Sequence, residues 1–182
     1  INDDDFGNDN ITYELSGEDA EYFILDGTTI KLKSGVSADF ETKSKYTLTV
    51  KATNASGATI TEKVVVKVNT APTDISLSND TVIENIFGQA VSILSVSDQN
   101  TGESFSYEII AGDDNYFEVT DSGMLKLKDN VYADYEFIKH WMGRDLSVTV
   151  RVTDQGGLSF DKTFTIKVTD VEYATPYVSD LW

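Results

Sequence analysis

The side chains in this sequence best placed to do chemistry are carboxylates spaced two residues apart. Asp39 and Glu41 flank an aromatic in Ala-Asp-Phe-Glu, and Asp134 and Glu136 do so again, 95 residues later, in Ala-Asp-Tyr-Glu. Other acidic stations recur in the same way. Asp3 and Asp5 in Asp-Asp-Asp-Phe-Gly match Asp98 and Asn100 in Asp-Gln-Asn-Thr-Gly, Asn54 matches Asp154, and Asn69 matches Asp170 and Glu172. Glu84, in Ile-Glu-Asn, stands in the second half only. In an extended strand residues i and i+2 point to one side, so each of these spacings aims two oxygens at one point. Carboxylates gathered this way repel by about 1 kcal/mol per pair at 4 Å in water, and by about 4 kcal/mol when partly buried. A divalent hard cation reverses that sign. A ligand set made of oxygen alone, with no His or Cys, selects Ca2+ over transition metals.

The composition agrees with cation chemistry without requiring it. The net charge is −17, from 31 acidic and 14 basic residues. Such a chain does not grip nucleic acid, which is held through Lys and Arg, and anionic membranes repel it. Surplus carboxylate serves either solubility or cation binding, and composition does not choose between them. The absence of cysteine rules out disulfides and thiolate metal sites. No apolar run approaches the roughly 18 residues of a membrane span, and no signal-peptide pattern is present. A first residue of Ile rather than Met reads as a processed product or an excerpt.

The elements that must position these acids come from a repeat. Ile11–Leu15 matches Phe105–Ile109, Glu21–Lys33 matches Asn115–Lys128, Leu48–Gly57 matches Val148–Gly157, and Val64–Val68 matches Phe164–Val168. The offset is 94 at Tyr13/Tyr107 and 100 from Val50/Val150 onward, so about five residues are gained between Glu136 and Val148. Within each copy, apolar and polar residues alternate with period two, as in Tyr46–Thr53 and Leu146–Thr153, and Gly, Asn, Asp and Ser clusters break the runs. The expected fold is all-β, two tandem Greek-key β-sandwiches. The expected divisions are residues 1–70, residues 71–172, and a tail, residues 173–182, that either begins a further strand or is donated to a neighbour. The first copy lacks an equivalent of Thr73–Asp98, about two leading strands. That deficit implies either an excerpt of a longer array or strands supplied by another molecule.

Taken in order, Glu-Asn-x-x-Gly at Glu84, Asp-x-Asn-x-Gly at Asp98, Ala-Asp-[Tyr/Phe]-Glu, Val-Thr-Asp-Gln-Gly and the linker before Pro72 resemble the stations of the cadherin repeat. The junction from Val68 to Asn85 resembles that of bacterial cadherin-like repeats in large adhesins and matrix proteins. The resemblance covers nearly the whole chain up to about Pro176. It implies calcium between consecutive repeats, stiffening the array. Carried over residue by residue, it implies one junction built from Asp39, Glu41, Asn69, Asp98, Asn100 and Asp154. A second would use Glu84, Asp134, Glu136, Asp170 and Glu172, and a third Asp3 and Asp5. Asn69, Asn54 and Asn100 stand where the family usually has acids, which implies one or two weakly held ions at the first junction.

The extra residues of copy two, Glu136–Asp145, hold the sole histidine, His140, with Trp141 and Arg144. These three form a candidate sugar or protein contact. The alternative is that Phe137, Ile138 and Trp141 pack over the sandwich edge. No nucleophile or metal-ligand spacing accompanies His140, so no enzyme is expected. The functional expectation is a non-enzymatic, secreted or surface-bound calcium-binding adhesion and spacer module that engages other repeats of its own or a neighbouring chain. Two alternatives stand beside it: a calcium-dependent polysaccharide-binding matrix lectin, and a structural subunit of a filament assembled by strand complementation.

Overall fold

The computed structural model describes residues 11–172, and the chain divides into two compact units, Ile1–Asn69 and Thr70–Trp182. Asp3, Asp5 and the tail, residues 173–182, lie outside the described residues. Among the described residues the protein is all-β, apart from a 3-10 turn at Ala20–Tyr22 and a π-helical turn at Phe137–Met142.

The first unit holds β1 (Thr12–Ser16), β2 (Phe23–Asp26), β3 (Thr29–Leu32), β4 (Lys45–Thr53) and β5 (Thr59–Lys67). Antiparallel pairing joins β1, β4 and β5 in that order, and β2 pairs with β3. Phe23, Tyr46 and Leu48 are its buried cluster, and the Tyr46 ring meets Phe23 and Tyr22 edge to face at 5.3 and 5.5 Å.

The second unit holds β6 (Asp74–Ser76), β7 (Thr81–Ile83), β8 (Ala90–Ile93), β9 (Ser95–Ser97), β10 (Ser106–Gly112), β11 (Phe117–Val119), β12 (Met124–Leu127), β13 (Leu146–Thr153) and β14 (Ser159–Thr169). One sheet runs β10-β13-β14-β7, the other β11-β12-β8, and β6 pairs with β9. The period-two pattern has its expected physical result in β13. Leu146, Val148, Val150 and Val152 are fully buried, while the residues between them face outward. That outer face is zipped by the Thr149–Thr163 hydroxyl pair at 2.8 Å and by Arg151, which donates twice to Asp161 at 2.7 and 2.8 Å. Across the core, Leu125 and Leu127 of β12 and Val91 of β8 join Phe164, Ile166 and Val168 of β14 in one cluster. β7 is laid parallel on the end of β14, with Val82 opposite Val168.

The π-helical turn was not visible in the sequence periodicity. Six residues complete fewer than two turns, too few for an apolar stripe to repeat. The turn buries Ile138 completely and half-buries Met142 against the core, but leaves Phe137 half exposed and Trp141 78% exposed. Of the three residues read as packing over the edge, Ile138 alone is anchored.

One joint recurs in both units. Asp113 accepts the Ser147 N–H at 2.8 Å and a two-pronged bond from Arg144 at 2.7 Å, pinning the start of β13 to the end of β10. Asp19 does the same for β4, accepting the Thr47 N–H at 2.7 Å and pairing with Lys43. Gly112 makes the approach possible. It sits at φ +99°, beside a bulge at Ile109/Ala111, and a Cβ there would lie 2.3 Å from the Ser147 carbonyl oxygen. The Arg144 guanidinium holds the Asp113 carboxyl below its ordinary range, with the Ser147 N–H adding to this against the cost of burial.

A carboxylate whose pKa is depressed in the fold contributes stability above its unfolded value near 3.9 and loses it as pH falls through the folded value. Asp113→Asn should therefore cost about 1–2 kcal/mol at pH 7, with that deficit shrinking below about pH 4. Urea unfolding of both proteins across pH 3 to 7 checks this; a deficit independent of pH would contradict it.

Candidate metal centres

Glu84, Glu136 and Asp170 each direct a carboxylate oxygen into a space where all three lie within 4.8 Å of one another. The backbone around Glu84 explains how. Its N–H donates to the Thr169 carbonyl at 3.1 Å, which continues the β7–β14 pairing by one residue. The chain then turns through Asn85 at φ +60°, a conformation Asn tolerates better than most residues. The Asn85 and Gly88 N–H groups donate to the Ala133 and Val131 carbonyls at 2.9 and 3.1 Å. The Glu-Asn-x-x-Gly stretch is thereby hooked onto the segment that carries Asp134 and Glu136.

Glu84 is buried, and its two oxygens accept different amides: Val171 N–H at 2.8 Å and Tyr135 N–H at 3.2 Å. The Val171 bond is the main reason its pKa lies below the usual carboxylate value, with Tyr135 assisting against the cost of burial. Asp170 is pushed the other way. Desolvation raises it first, followed by its hydrogen bond to Glu84 and the charges of Glu84, Glu136 and Glu172. The charge on Asp170 is thus disfavoured by its neighbours, and a divalent cation would offset that repulsion. Glu172 contributes charge here without belonging to the group of three, and Asp134 is engaged in capping: its Oδ1 accepts the Phe137 N–H at 2.8 Å at the start of the π-helical turn.

A second group forms at the opposite end of the strands. Asp98, Glu103 and Asp154 lie within 4.8 Å of one another. Asp98 Oδ1 accepts the Asn100 N–H at 2.8 Å, closing the acidic loop on itself. The Asn100 side-chain oxygen accepts the N–H and the hydroxyl of Thr70, both at 2.8 Å. Asp154 Oδ1 accepts the Leu158 N–H at 2.9 Å across the β13–β14 turn. Asp98 Oδ2 is buried and accepts no hydrogen bond among the described residues. A buried carboxylate oxygen in that condition costs free energy unless a cation or water meets it, so this donor set suits a hard cation. Glu103 was not among the sequence candidates. Gly102, at φ +78°, folds the chain back so that the next side chain joins Asp98. The readable signal was a carboxylate directly after the glycine of Asp-x-Asn-x-Gly.

Both groups are formed within the second unit alone. In the first unit Asp39 and Glu41 share one turn, where Asp39 accepts the Thr42 hydroxyl at 2.7 Å and the Glu41 N–H at 3.1 Å, and those bonds, the hydroxyl first, lower its pKa. Asn69 ends that unit. Asn54 accepts the Ala58 N–H at 2.8 Å, repeating the hairpin role of Asp154 without its charge.

An open hollow beside Glu136 is lined by Tyr135, Glu136, Lys139, His140 and Trp141. The His140 and Trp141 rings meet edge to face at 5.7 Å. Lys139 pairs with Asp145, and Arg144 is held by Asp113.

The chain is 28% identical over 176 residues to Cadherin-related family member 1a of Danio rerio, covering 91% of this chain and 20% of that protein. It is 27% identical over 192 residues to Protocadherin gamma-A1 of Homo sapiens, covering 95% of this chain and 19% of that protein. It thus spans about a fifth of the length of these relatives. No protein-family model matches it. Human protocadherin-24 EC1-2 superposes with a TM-score of 0.43 at 20% identity, over 91% of this chain and 85% of that one. The chain is cadherin-like in sequence. The expected bacterial setting has no support among these relatives.

Because Asp170 is raised above its unfolded value, its ionisation subtracts from metal-free stability as pH climbs past about 4. Asp170→Asn should therefore melt modestly higher than the parent at pH 7 in chelator, with the gain fading toward pH 4. Calorimetry in EGTA measures this, and a lower melt for the variant would contradict the crowding described here.

Proposed function

We propose that this chain is a non-enzymatic, calcium-binding segment of an extracellular adhesion and spacer protein, whose repeats engage others of the same or a neighbouring chain. The observation that carries this reading is the convergence of Glu84, Glu136 and Asp170 within 4.8 Å, on a buried glutamate fixed by two backbone amides. Oxygen-only donors with no histidine or cysteine among them suit Ca2+. Glu84, Glu136 and Asp170 would hold one ion, and Asp98, Asn100, Glu103 and Asp154 another. Asp134, Glu172, Asp39, Glu41 and Asn69 are proposed as further ligands on their chemistry alone. Bound calcium supplies charge neutralisation. The chain's own part is to hold the acids in place before the ion arrives, through the amides of Val171, Tyr135, Asn100 and Leu158.

Extracellular sites of this type bind at roughly 10⁻⁴ to 10⁻³ M, so millimolar calcium outside a cell fills them and a cytosol does not. The similarity to cadherin-related and protocadherin chains supports the adhesion setting.

The exposed Trp141 favours a second reading, calcium-dependent binding of polysaccharide. An indole face bordered by His140, Lys139 and Glu136 offers a sugar ring both a stacking surface and hydrogen-bonding groups. A glycan array in calcium should lose its signal with Trp141→Ala under this reading and be blank for both proteins under the spacer reading.

At ten times its dissociation constant calcium stabilises by about 1.4 kcal/mol, or roughly 3–8 °C in melting temperature for a unit of this size. Glu136→Gln and Asp154→Asn should each cut that gain while leaving the melt in EGTA unchanged or higher. Calorimetry with and without 10 mM CaCl2, roughly ten times the upper end of that affinity range, is the test, and equal melts for the parent chain would overturn the proposal.

A further inference from the structure

The two units repeat one backbone frame around β2–β3 and β11–β12. The Tyr22 and Tyr116 N–H groups donate to the Asp19 and Asp113 carbonyls at 3.1 and 3.0 Å. The Lys33 and Lys128 N–H groups donate to the Tyr22 and Tyr116 carbonyls, both at 2.9 Å, and the Val36 and Val131 N–H groups to the Lys33 and Lys128 carbonyls at 3.0 and 2.9 Å. The side chains carried on that frame differ. Glu21, Gly35 and Ser37 stand in the first unit where the second has Asn115, Asn130 and Tyr132. Tyr22 packs edge to face on Tyr46, with the Lys43 ammonium 6.0 Å from its ring centre. In the second unit Leu146 stands in place of Tyr46, and Tyr116 meets no other ring among the described residues.

Those replacements meet in one place. Asn115, Tyr116, Asn130, Val131 and Tyr132 line an open hollow of about 340 Å³, near the lower end of the roughly 300–1,000 Å³ of small-molecule sites. Tyr132 is 41% exposed, and its ring rests edge to face on Phe87 at 4.9 Å. Phe87 is seated there by the Gly88 N–H next to it, which donates to the Val131 carbonyl on the wall of the hollow at 3.1 Å. Asn115 and Asn130 are exposed, and their side-chain amides make no hydrogen bond within the chain among the described residues. None of these lining residues carries a charge, in a chain of net charge −17.

We propose that this hollow binds a sugar residue of a neutral glycan. A pyranose presents a face of C–H groups, which an aromatic ring covers, and a rim of hydroxyls, which both donate and accept hydrogen bonds. Tyr116 and Tyr132, the latter backed by Phe87, supply the rings. Asn115 and Asn130 each offer two N–H donors and a carbonyl acceptor. The uncharged lining sets the ligand class. A phosphate or a uronate finds no Arg or Lys among the lining residues to answer its charge, and the chain's surplus carboxylates repel it. The hollow shares no lining residue with the one at Trp141 and has no carboxylate of its own. Sugar binding here therefore does not depend on calcium, and it stands or falls apart from the function proposed above.

The test is amide NMR of the isotope-labelled full chain in EGTA, titrated with millimolar chitotetraose, mannotetraose, cellotetraose and maltotetraose as neutral probes and tetragalacturonate as a charged one. At least one neutral probe should shift the side-chain amide signals of Asn115 and Asn130 and the backbone signals of residues 130–132. Tyr132→Ser and Asn115→Glu place the first unit's side chains on the shared frame. Each should weaken that binding by about tenfold or more, in proteins whose spectra elsewhere match the parent. Trp141→Ala should leave it unchanged. The proposal is overturned if no neutral probe shifts these signals, if the charged probe alone does, if the shifts are confined to residues 135–141, or if Tyr132→Ser binds as the parent does. Shifts at these residues that appear only on raising the protein concentration would overturn it too, and would give the hollow to a second copy.

Discussion

Glu84 is the residue on which the architecture of the second unit turns. Its carboxylate is buried and spans two amides that belong to different parts of the chain, one at the exit of β14 and one at the entry to the π-helical turn. Its own N–H extends the β7–β14 pairing. A buried anion that stitches three segments together is stable because both of its oxygens are satisfied. Once it is fixed there, Asp170 and Glu136 arrive beside it as a consequence of backbone position. The acidic group is therefore a product of the fold's own hydrogen bonding, and a cation placed there would relieve the repulsion between its charges.

The two copies form an internal comparison. They share a strand pattern, a carboxylate joint at Asp19 and Asp113, and a hairpin closed by Asn54 or Asp154. They differ in burial: among the described residues Val64 and Val66 of β5 are half-buried where Phe164 and Ile166 of β14 are buried. Asn54 in place of aspartate leaves the hairpin geometry intact, because the side-chain oxygen still accepts Ala58, but removes the charge that a cation would use. Closing the turn thus does not require a charge at this position.

Much of this was readable beforehand, and the reasons are specific. β13 declared itself because strict alternation of Leu146, Val148, Val150 and Val152 has a single structural meaning when one face is buried. Glu84, Glu136 and Asp170 were legible as station residues, although the sequence could not say that Asp134 also caps a turn. Glu103 was missed because it lies outside any i, i+2 pair and reaches Asp98 only through the positive φ of Gly102. Asp19 and Asp113 were missed for a related reason. Each is a lone acid in sequence, and its meaning comes from an amide some thirty residues away. Period and spacing report local geometry, while these residues act across the sheet.

The parallel seating of β7 on β14 carries a mechanical implication. A strand near the start of the unit and the strand at its finish run side by side in the same direction, in register from Thr81–Lys167 to Ile83–Thr169. Tension applied to the two ends draws them past each other along their length, so the bonds between them are loaded together in shear instead of parting one after another like a zipper. Glu84, clamped just beyond the last pair, sits where that load is borne. The same carboxylate that assembles the acidic cluster therefore also acts as a latch against stretching.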